Sequence, residues 1–342
     1  MRGSAPDRDQ FDVITMGRVS MDLFSQTIGA DMTEVEGFDA MIGGSPSNIA
    51  IGTARLGARV GILTAVGEDE IGRFVRAGFA HEGVATDFIR TVPDTRTGLA
   101  ILAVQPPSTF PLTFYRENPA DIHLSVADVD ALPLETTRVL QLSGAALSRG
   151  TCAHATLHAG QRAASLDTTV VLDLDLRPDQ WADPPAFGVA VRALLPSVDV
   201  AIGTEEEFHS ALAEHSPALD GSALGEADRA DLDHLLDRLH AREGGIITVL
   251  KRGPRGVTVR TPGSTTDVPG YSVEIANTVG AGDAFASGVI HGHLQGWSWT
   301  EAVRFGNACG AIEVTRHGCS AALPTRDEVD AFINANAQKE HP

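Results

Sequence analysis

The stretch Asn277-Thr-Val-Gly-Ala-Gly-Asp-Ala-Phe-Ala-Ser-Gly288 carries the most information in this chain. Residues 280–282 leave its loop almost bare of side chains, and the small residues that follow predict a helix to about His293. Unpaired N–H groups and the positive end of the helix dipole make such a helix start suitable for an anion. The carboxylate of Asp283 stands among these groups, where it could cap the helix or deprotonate a group that approaches the anion.

A second glycine-rich segment lies early in the chain. Gly43-Gly44-Ser45-Pro46-Ser47-Asn48 opens another predicted helix, which ends at Gly57. Paired glycines let the backbone approach a ligand closely, and the Asn48 amide can donate to and accept from a hydroxyl. The alternative is an ordinary turn with Ser47 or Asn48 as the helix cap. Together with the late segment, the pattern favours a site for a polyhydroxylated molecule.

The composition indicates one large α/β domain. With 342 residues, 43% of them hydrophobic, the chain can bury a sizeable core, and no charge-rich or low-complexity block divides it. Asp and Glu outnumber Lys and Arg by 45 to 26, and the formal net charge of -19 opposes binding to nucleic acid or to anionic membrane surfaces. This charge also repels anionic ligands, which must therefore be held by helix starts and individual arginines.

The cysteines and the lack of long apolar runs bear on the compartment. Cys152, Cys309 and Cys319 form no C-x-x-C pair and cannot all pair with one another, which favours buried thiols in a reducing compartment. No apolar run approaches the length of a membrane span, and residues 1–10, an expected disordered tail, contain no hydrophobic signal core. We therefore expect a soluble, cytoplasmic protein.

Apolar runs that predict strands alternate with helical patterns along the chain. The predicted strands are Val13 to Met16, Val60 to Val66, Val139 to Leu142, Val170 to Leu174, Val198 to Ile202 and Ile246 to Leu250. This alternation predicts a mainly parallel sheet with helices on both faces and with ligands at the carboxyl ends of its strands. Two stretches, 23–42 and 97–116, break the alternation and predict extra antiparallel strands, the second with a turn at 105–108.

Several other sites are disfavoured by the sequence. The chain contains neither a G-x-x-x-x-G-K-[ST] P-loop nor a G-x-G-x-x-G dinucleotide fingerprint, which weighs against P-loop NTPases and NAD enzymes. His154 and His158 have the i, i+4 spacing of a metal pair but lack the glutamate of H-E-x-x-H, so we interpret them as surface histidines.

Both glycine-rich segments resemble the two signatures of the ribokinase-like (PfkB) family of small-molecule kinases. Gly43-Gly44-x-Pro46-x-Asn48-x-Ala50 matches the early signature, and Gly280-Ala281-Gly282-Asp283 with Ser287-Gly288 matches the late one. The resemblance runs from about Phe11 to about Phe332. It implies a ribokinase-like kinase domain over 11–335, a small β lid formed by about 23–42 and 97–118, and a C-terminal tail at 336–342.

Shorter stretches, such as 110–118 and 173–178, are most similar to the family's kinases of 5-dehydro-2-deoxy-D-gluconate, a sugar acid of myo-inositol catabolism. The resemblance therefore implies ATP- and Mg²⁺-dependent phosphorylation of a terminal hydroxyl of this acid. The alternatives are a 2-keto-3-deoxygluconate kinase, another PfkB sugar kinase, and a non-catalytic sensor of a sugar acid or nucleotide. Family analogy also implies a homodimer through the lid.

Phosphoryl transfer needs few residues of unusual chemistry, because the protein mainly positions two oxygens in line and offsets charge. Asp283 would take the hydroxyl proton as general base. The backbone of the 280–283 segment would form an anion hole for the γ-phosphoryl group, with contributions from Gly280, Ala281 and Gly282. The resemblance implies that the sugar hydroxyls contact Asp22, Gly43, Gly44 and Asn48.

Two arginines are predicted to bind the carboxylate of the sugar acid. Arg116 ends the second lid hairpin and Arg177 follows the strand Val170 to Leu174, so both could converge on the far end of the substrate. A guanidinium group matches a carboxylate in geometry as well as in charge. Each arginine could instead form an ordinary surface ion pair.

The nucleotide and the cations are expected at further positions. The glycines of the 251–256 segment could let the backbone approach ATP, although a plain β-turn is the alternative; its expected ligands are Lys251, Gly253 and Gly256. In relatives the position of Asn307 lines the adenine pocket. Glu206 matches the acid that organises water around Mg²⁺, although Gly203 replaces the usual Asn, and the main chain of Asn277 matches a potassium site.

Overall fold

The computed structural model describes residues 10–105, 112–183, 185–213, 224–241 and 245–340. The strands are β1 (Val13–Met16), β2 (Ser20–Ser25), β3 (Phe38–Gly43), β4 (Val60–Val66), β5 (Ile89–Thr91), β6 (Gly98–Leu102), β7 (Leu112–Tyr115), β8 (Val139–Ser143), β9 (Thr169–Asp173), β10 (Val200–Thr204), β11 (Ile247–Lys251), β12 (Val257–Thr261) and β13 (Ser264–Val268). The helices are α1 (Ser45–Arg55), α2 (Glu70–His81), α3 (Val126–Asp130), α4 (Gly150–Ala164), α5 (Ala186–Leu194), α6 (Glu205–Leu212), α7 (Glu226–His240), α8 (Ala281–Leu294), α9 (Trp299–Glu313) and α10 (Arg326–Glu340).

The main sheet has the order β13-β12-β11-β10-β9-β8-β1-β4-β5. Pairing is parallel from β5 to β11, whereas β12 and β13 form an antiparallel edge. All the residues of β1, β4 and β8 are buried, as expected for strands covered by helices on both faces. Two large apolar clusters, one on each face of the sheet, form the core. The prediction of a mainly parallel α/β sheet from the apolar runs is confirmed.

A smaller sheet of order β3-β2-β6-β7, called the lid below, lies in the two stretches that were predicted to add antiparallel strands; β2 and β3, and β6 and β7, pair antiparallel as predicted, whereas β2 and β6 pair in parallel. It begins earlier than the predicted start at 23, because β2 starts at Ser20 and therefore contains Asp22. Residues 1–9 of the expected N-terminal tail and residues 106–108 of the expected lid turn lie outside the described residues. At the other end of the chain, α10 continues to Glu340, beyond the domain end predicted at 335.

Helices α8 and α9 approach each other more closely than larger side chains would allow. A Cβ atom on Gly288 would lie only 2.7 Å from the Cα atom of Gly306. This close contact between the two helices therefore requires glycine at position 288. The three cysteines are buried and unpaired, as predicted. No described helix is both long and apolar enough to span a bilayer.

Candidate active site

The late glycine-rich loop ends in an uncapped helix start. Gly280 precedes α8 with a φ of 102°, and no side chain accepts a hydrogen bond from the first turn at this cap. A side chain at position 280 would be strained by this φ and would also lie 2.7 Å from an oxygen of Glu313. The Ala281 N–H makes a long hydrogen bond of 3.4 Å to the Thr278 carbonyl, so the N–H groups of Gly282 and Asp283 are the ones left without a partner among the described residues, as an anion site requires.

The two glycine-rich segments meet through a side-chain hydrogen bond. Nδ2 of Asn48 in α1 donates to Oδ2 of Asp283 at 2.7 Å, although 235 positions separate the two residues. Oδ1 of Asn48 is buried and has no partner in the described part of the chain. Asp283 is thus held in place without acting as the helix cap, and Asn48 keeps a free acceptor beside it.

The protonation of Asp283 is set by its surroundings. Burial raises the pKa of its carboxyl group, and the nearby carboxylate of Asp175 adds to the rise, whereas the hydrogen bond from Asn48 and the charge of Arg177 oppose it. A carboxylate whose pKa is raised is a stronger base than an ordinary aspartate, and the hydrogen bond from Asn48 fixes its position. This combination suits proton removal from a hydroxyl.

The early loop brings a second carboxylate to the site. Asp22 lies in β2 opposite Met41 of β3, and its side chain occupies the space beside Gly43. A Cβ atom on Gly43 would lie 1.9 Å from Oδ2 of Asp22, so only glycine leaves room for this carboxylate. Oδ1 of Asp22 accepts from the Ser20 hydroxyl at 2.6 Å, while burial raises the pKa of the group.

Arg116 lies in an internal ion pair. Its terminal nitrogens donate to both carboxylate oxygens of Asp121, at 3.0 and 2.8 Å, and one of them also donates to the carbonyl of Val19. Asp121 in turn accepts from the Val19 N–H, so the pair ties the end of the lid to the main sheet. The interpretation of Arg116 as a carboxylate ligand of the substrate does not fit this placement, because its fork is already occupied.

Arg177 and a residue that the sequence interpretation left without a role, Arg18, lie on either side of Asp175. Nε of Arg177 donates to Oδ1 of Asp175 at 2.8 Å, and 44% of its side chain is exposed. Nη2 of Arg18 is 3.6 Å from Oδ2 of Asp175. Burial alone would raise the pKa of Asp175, but the two guanidinium groups outweigh it and hold the pKa below its usual value. Asp175 has a φ of 33°, an uncommon value for a non-glycine residue.

Lys251, at the end of β11, lies beside the helix start. Its Nζ atom is 3.7 Å from Asp173 and 3.9 Å from Glu207, and it would be 3.3 Å from a Cβ atom on Gly282. Burial alone would lower the pKa of Lys251, but the carboxylates outweigh it and raise the pKa, which keeps the ammonium charged. Burial also raises the pKa of Asp173, against the effect of Lys251. The strand ends therefore place a permanent cation next to the anion site.

The other predicted nucleotide and cation residues have varied surroundings. Gly253 and Gly256 have φ values of 56° and 85°, and a Cβ atom on Gly256 would lie 2.1 Å from the Val268 carbonyl oxygen. Nδ2 of Asn307 donates to the carbonyl of Pro269 at 3.0 Å. The turn itself requires glycine at positions 253 and 256, so their conformation does not distinguish a nucleotide site from a plain turn.

In α6, Glu206 is partly exposed and Glu207 forms the capping box with Thr204. The side chain of Asn277 is buried and clamps the loop, because it donates to the Gly318 carbonyl at 2.6 Å and accepts from the Val279 N–H at 3.0 Å. Its amide is therefore occupied, although a main-chain contact with a cation does not require the side chain.

Glu313 is a functional candidate that no sequence motif indicated. Its side chain is fully buried at the end of α9, and neither carboxyl oxygen has a partner among the described residues. One oxygen lies against Gly280, at the base of the anion site. Burial, with the charge of Asp283, raises the pKa of Glu313 well above its usual value. A single buried acid next to a glycine has no sequence signature, so only the fold reveals it.

Cavity volume does not identify this site. A cavity of about 610 Å³ lies at the opposite end of the strands and is bordered by Thr169, Asp199 and Ile246. The carboxylate of Asp199 already accepts from the Val170 N–H at 2.7 Å. The convergence of uncapped N–H groups, Asp283 and Lys251 at the carboxyl edge is therefore the stronger indication.

Comparisons with known proteins show the family and the fold of the chain. The profile described as pfkB family carbohydrate kinase matches residues 10–326. The chain is 34% identical over 330 residues to the 5-dehydro-2-deoxygluconokinase of Listeria innocua serovar 6a, an alignment that covers 96% of this chain and 97% of the relative.

Two solved structures show the same fold. One is a putative ribokinase II from E. coli in complex with ATP and Mg²⁺, with a TM-score of 0.81, 24% identity, and coverage of 95% of this chain and 99% of that one. The other is a double mutant of a fructokinase from Vibrio cholerae O395 with fructose, ADP and potassium bound, with a TM-score of 0.78, 24% identity and the same coverage.

Proposed function

Because the chain belongs to the PfkB family of carbohydrate kinases, we propose that it transfers the γ-phosphoryl group of ATP to a terminal hydroxyl of a sugar acid, with 5-dehydro-2-deoxy-D-gluconate as the first candidate. The similarity to 5-dehydro-2-deoxygluconokinases over almost the whole chain supports this substrate. 2-Keto-3-deoxygluconate is the second candidate, since it presents the same carboxylate and hydroxyl chemistry.

The observation that carries the proposal is the hydrogen bond between Asn48 and Asp283 at the uncapped start of α8. It places a base and a hydroxyl-binding amide side by side at an anion site. Asp283 accepts the proton of the substrate hydroxyl, whose oxygen forms a bond to the γ-phosphorus as the bond to the β-phosphate oxygen breaks and ADP leaves. The N–H groups of Ala281, Gly282 and Asp283 offset the charge on the migrating group.

The remaining polar groups of the site would contact the sugar acid and the nucleotide. Asp22, beside Gly43, accepts hydrogen bonds from sugar hydroxyls, and Lys251 neutralises the phosphates of the nucleotide. The terminal nitrogens of Arg177, which Asp175 holds only through Nε, are directed to an anionic group of the substrate. Arg116 has no direct contact with the substrate in this scheme.

Mg²⁺ and a monovalent cation complete the proposed assembly. Mg²⁺ retains several waters and binds mainly to phosphate oxygens, so the partly exposed Glu206 is sufficient as an outer carboxylate, and bound Mg²⁺ would neutralise charge on the phosphates. For potassium, the main chain of Asn277 and the unpartnered carboxyl of Glu313 lie at the base of the anion site. A rise in melting temperature in potassium compared with tetramethylammonium would support this cation site independently of activity.

The first test is ADP release from Mg²⁺-ATP with a panel of acceptors. The panel contains 5-dehydro-2-deoxygluconate, 2-keto-3-deoxygluconate, fructose, ribose and adenosine. A preference for the first acid supports the proposed substrate, whereas a preference for another acceptor keeps the kinase and rejects this substrate.

Asp283→Asn separates the kinase from a non-catalytic sensor. We expect kcat to fall by at least about a hundredfold, because general-base catalysis contributes factors of this size, while ATP still binds and the protein stays folded. Asp330→Asn in α10, where Asp330 pairs with Arg326 on the surface, is the matched control and should keep full activity. Unchanged turnover in a folded Asp283→Asn protein would refute the proposed mechanism.

A further inference from the structure

Arg18 is a buried arginine that lacks a close partner. It follows β1 directly, and only 7% of its surface is exposed. Its Nε atom has no hydrogen-bond partner, and the described residues provide no hydrogen bond to the rest of its guanidinium group. The nearest paired carboxylate oxygen, Oδ2 of Asp175, is 3.6 Å away and so beyond good hydrogen-bond distance. A buried cation with unused donors is costly for a protein unless a ligand occupies them.

The neighbouring carboxylates are committed to other groups. Asp121 is bound by Arg116 through both oxygens, and Asp175 accepts from Arg177 at 2.8 Å and from the Ser143 hydroxyl at 3.1 Å. Asp22 also faces Arg18 but forms no ion pair with it within 4.0 Å, and its Oδ1 accepts from the Ser20 hydroxyl. These arginines and carboxylates together carry no net positive charge, so a ligand would be held by the free donors of one guanidinium group and not by net charge.

Arg18 also lies at the boundary between the lid and the main sheet. Its Cζ atom is 5.6 Å from the centre of the Phe114 ring in β7. The aromatic ring limits the approach of water from one side, so the N–H groups in the guanidinium plane are the ones that remain available. On the main-sheet side, Asp175 separates Arg18 from Arg177, and Arg177 is close enough to Asp283 for their charges to interact. Asp175 and Arg177 thus link Arg18 to Asp283 within one cluster of interacting charges.

We propose that Arg18 is a specificity-determining residue whose guanidinium binds the carboxylate of the sugar acid, in the role that the sequence suggested for Arg116. The inference rests on the proposed function, because it assigns the acidic end of the same substrate. Arg177 is the second positive group of this subsite, and Phe114 of the lid orients Arg18. A planar fork with free donors suits the two oxygens of a carboxylate better than a point charge would.

The test compares an acid with its uncharged analogue. Values of kcat/KM are measured for 5-dehydro-2-deoxygluconate and for its C1 amide with the wild type, Arg18→Met and Arg18→Lys. Arg162→Met serves as the matched control, because Arg162 is a partly buried arginine of α4 that pairs with Glu135. Thermal melts and ATP binding establish that each variant is folded.

We expect Arg18→Met to lower kcat/KM for the acid by roughly a hundredfold, mainly through KM, since loss of one partner of a desolvated charge pair has effects of this order. Turnover of the amide should change less than about threefold on the same reasoning, so that the preference for the acid is lost. Arg18→Lys should retain only part of the preference for the acid. A preference for the acid that survives in Arg18→Met, or an equal loss with both substrates, would overturn the inference.

The outcomes also separate this inference from the proposed function. If the wild type phosphorylates neutral sugars but neither sugar acid, both proposals fail. If it prefers 2-keto-3-deoxygluconate, the same comparison is made with that acid and its amide, and the role of Arg18 stands or falls on the result.

Discussion

Replacement of Gly43 by alanine should weaken sugar binding by displacing Asp22, although the new methyl group does not itself contact the sugar. The new Cβ atom would lie 1.9 Å from Oδ2 and 2.0 Å from Cγ of Asp22, whereas ordinary contacts begin at 3.4 Å. The carboxylate must therefore retreat by about 1.5 Å. Because a misplacement of about 1 Å in a positioned group can cost about a hundredfold, we expect kcat/KM for the sugar acid to fall by at least that factor. Overpacking should also lower the free energy of unfolding by about 1–3 kcal/mol.

A double-mutant cycle tests the physical reason for this loss. Steady-state phosphorylation is measured for the wild type, Gly43→Ala, Asp22→Ala and the double variant, with thermal melts of all four proteins. If the alanine acts by displacing Asp22, it should add almost nothing once that carboxylate is absent. Gly225→Ala is the control for a glycine replacement, because a Cβ atom there would make an ordinary contact of 3.4 Å with Asp228.

Two results would refute this reasoning. Full activity of Gly43→Ala would show that Asp22 is not needed where the structure places it. A loss in the double variant equal to the product of the two single losses would show that Gly43 acts through the backbone and not through Asp22.

Two further perturbations address charges buried near the site. Arg116→Ala should lower the free energy of unfolding by about 3–5 kcal/mol in a melt, since it leaves Asp121 buried and unpaired. The protein that remains folded should keep its preference for the acid over the amide. Loss of that preference would show that Arg116 belongs to the carboxylate subsite. Glu313→Gln should stabilise the protein increasingly as the pH rises from 4.5 towards 8 in potassium-free buffer. Because the pKa of Glu313 is raised in the folded protein, this carboxyl does not lower the free energy of unfolding below its unfolded pKa near 4.5. As the pH climbs towards the folded pKa, it lowers that free energy by about 1.4 kcal/mol for each unit of the shift. A stability difference that shrinks with rising pH in paired melts would contradict this.

The parts of the structure that the sequence predicted are those with a local cause. Apolar runs such as Val60 to Val66 predicted buried parallel strands, and the bare segment at 280–282 predicted an open helix start, because both depend on neighbouring residues. The sequence named both Gly43 and Asp22 but not their contact, because the partner of Gly43 across the strands is Ser20 and the Asp22 side chain reaches Gly43 only in the folded sheet.

The network of charges required the tertiary structure. Arg116 and Arg177 look alike in sequence, yet both terminal nitrogens of Arg116 are bound by Asp121, whereas Asp175 holds Arg177 through Nε. Arg18 was given no role from the sequence, because its surroundings depend on Phe114 in β7 and on Asp175 after β9, which lie far away in the chain.

The sequence alone therefore determined the fold class, through its hydrophobic periodicity, and the family, through its resemblance to two known signatures. It also indicated the two glycine-rich loops that meet at the candidate site. Which arginine is free to bind a substrate, and that the carboxyl of Glu313 has no partner beneath Gly280, were decided only by the folded chain. The physical reason is that hydrogen-bond saturation and desolvation depend on every group within a few ångströms, and those groups come from segments that are far apart in the sequence.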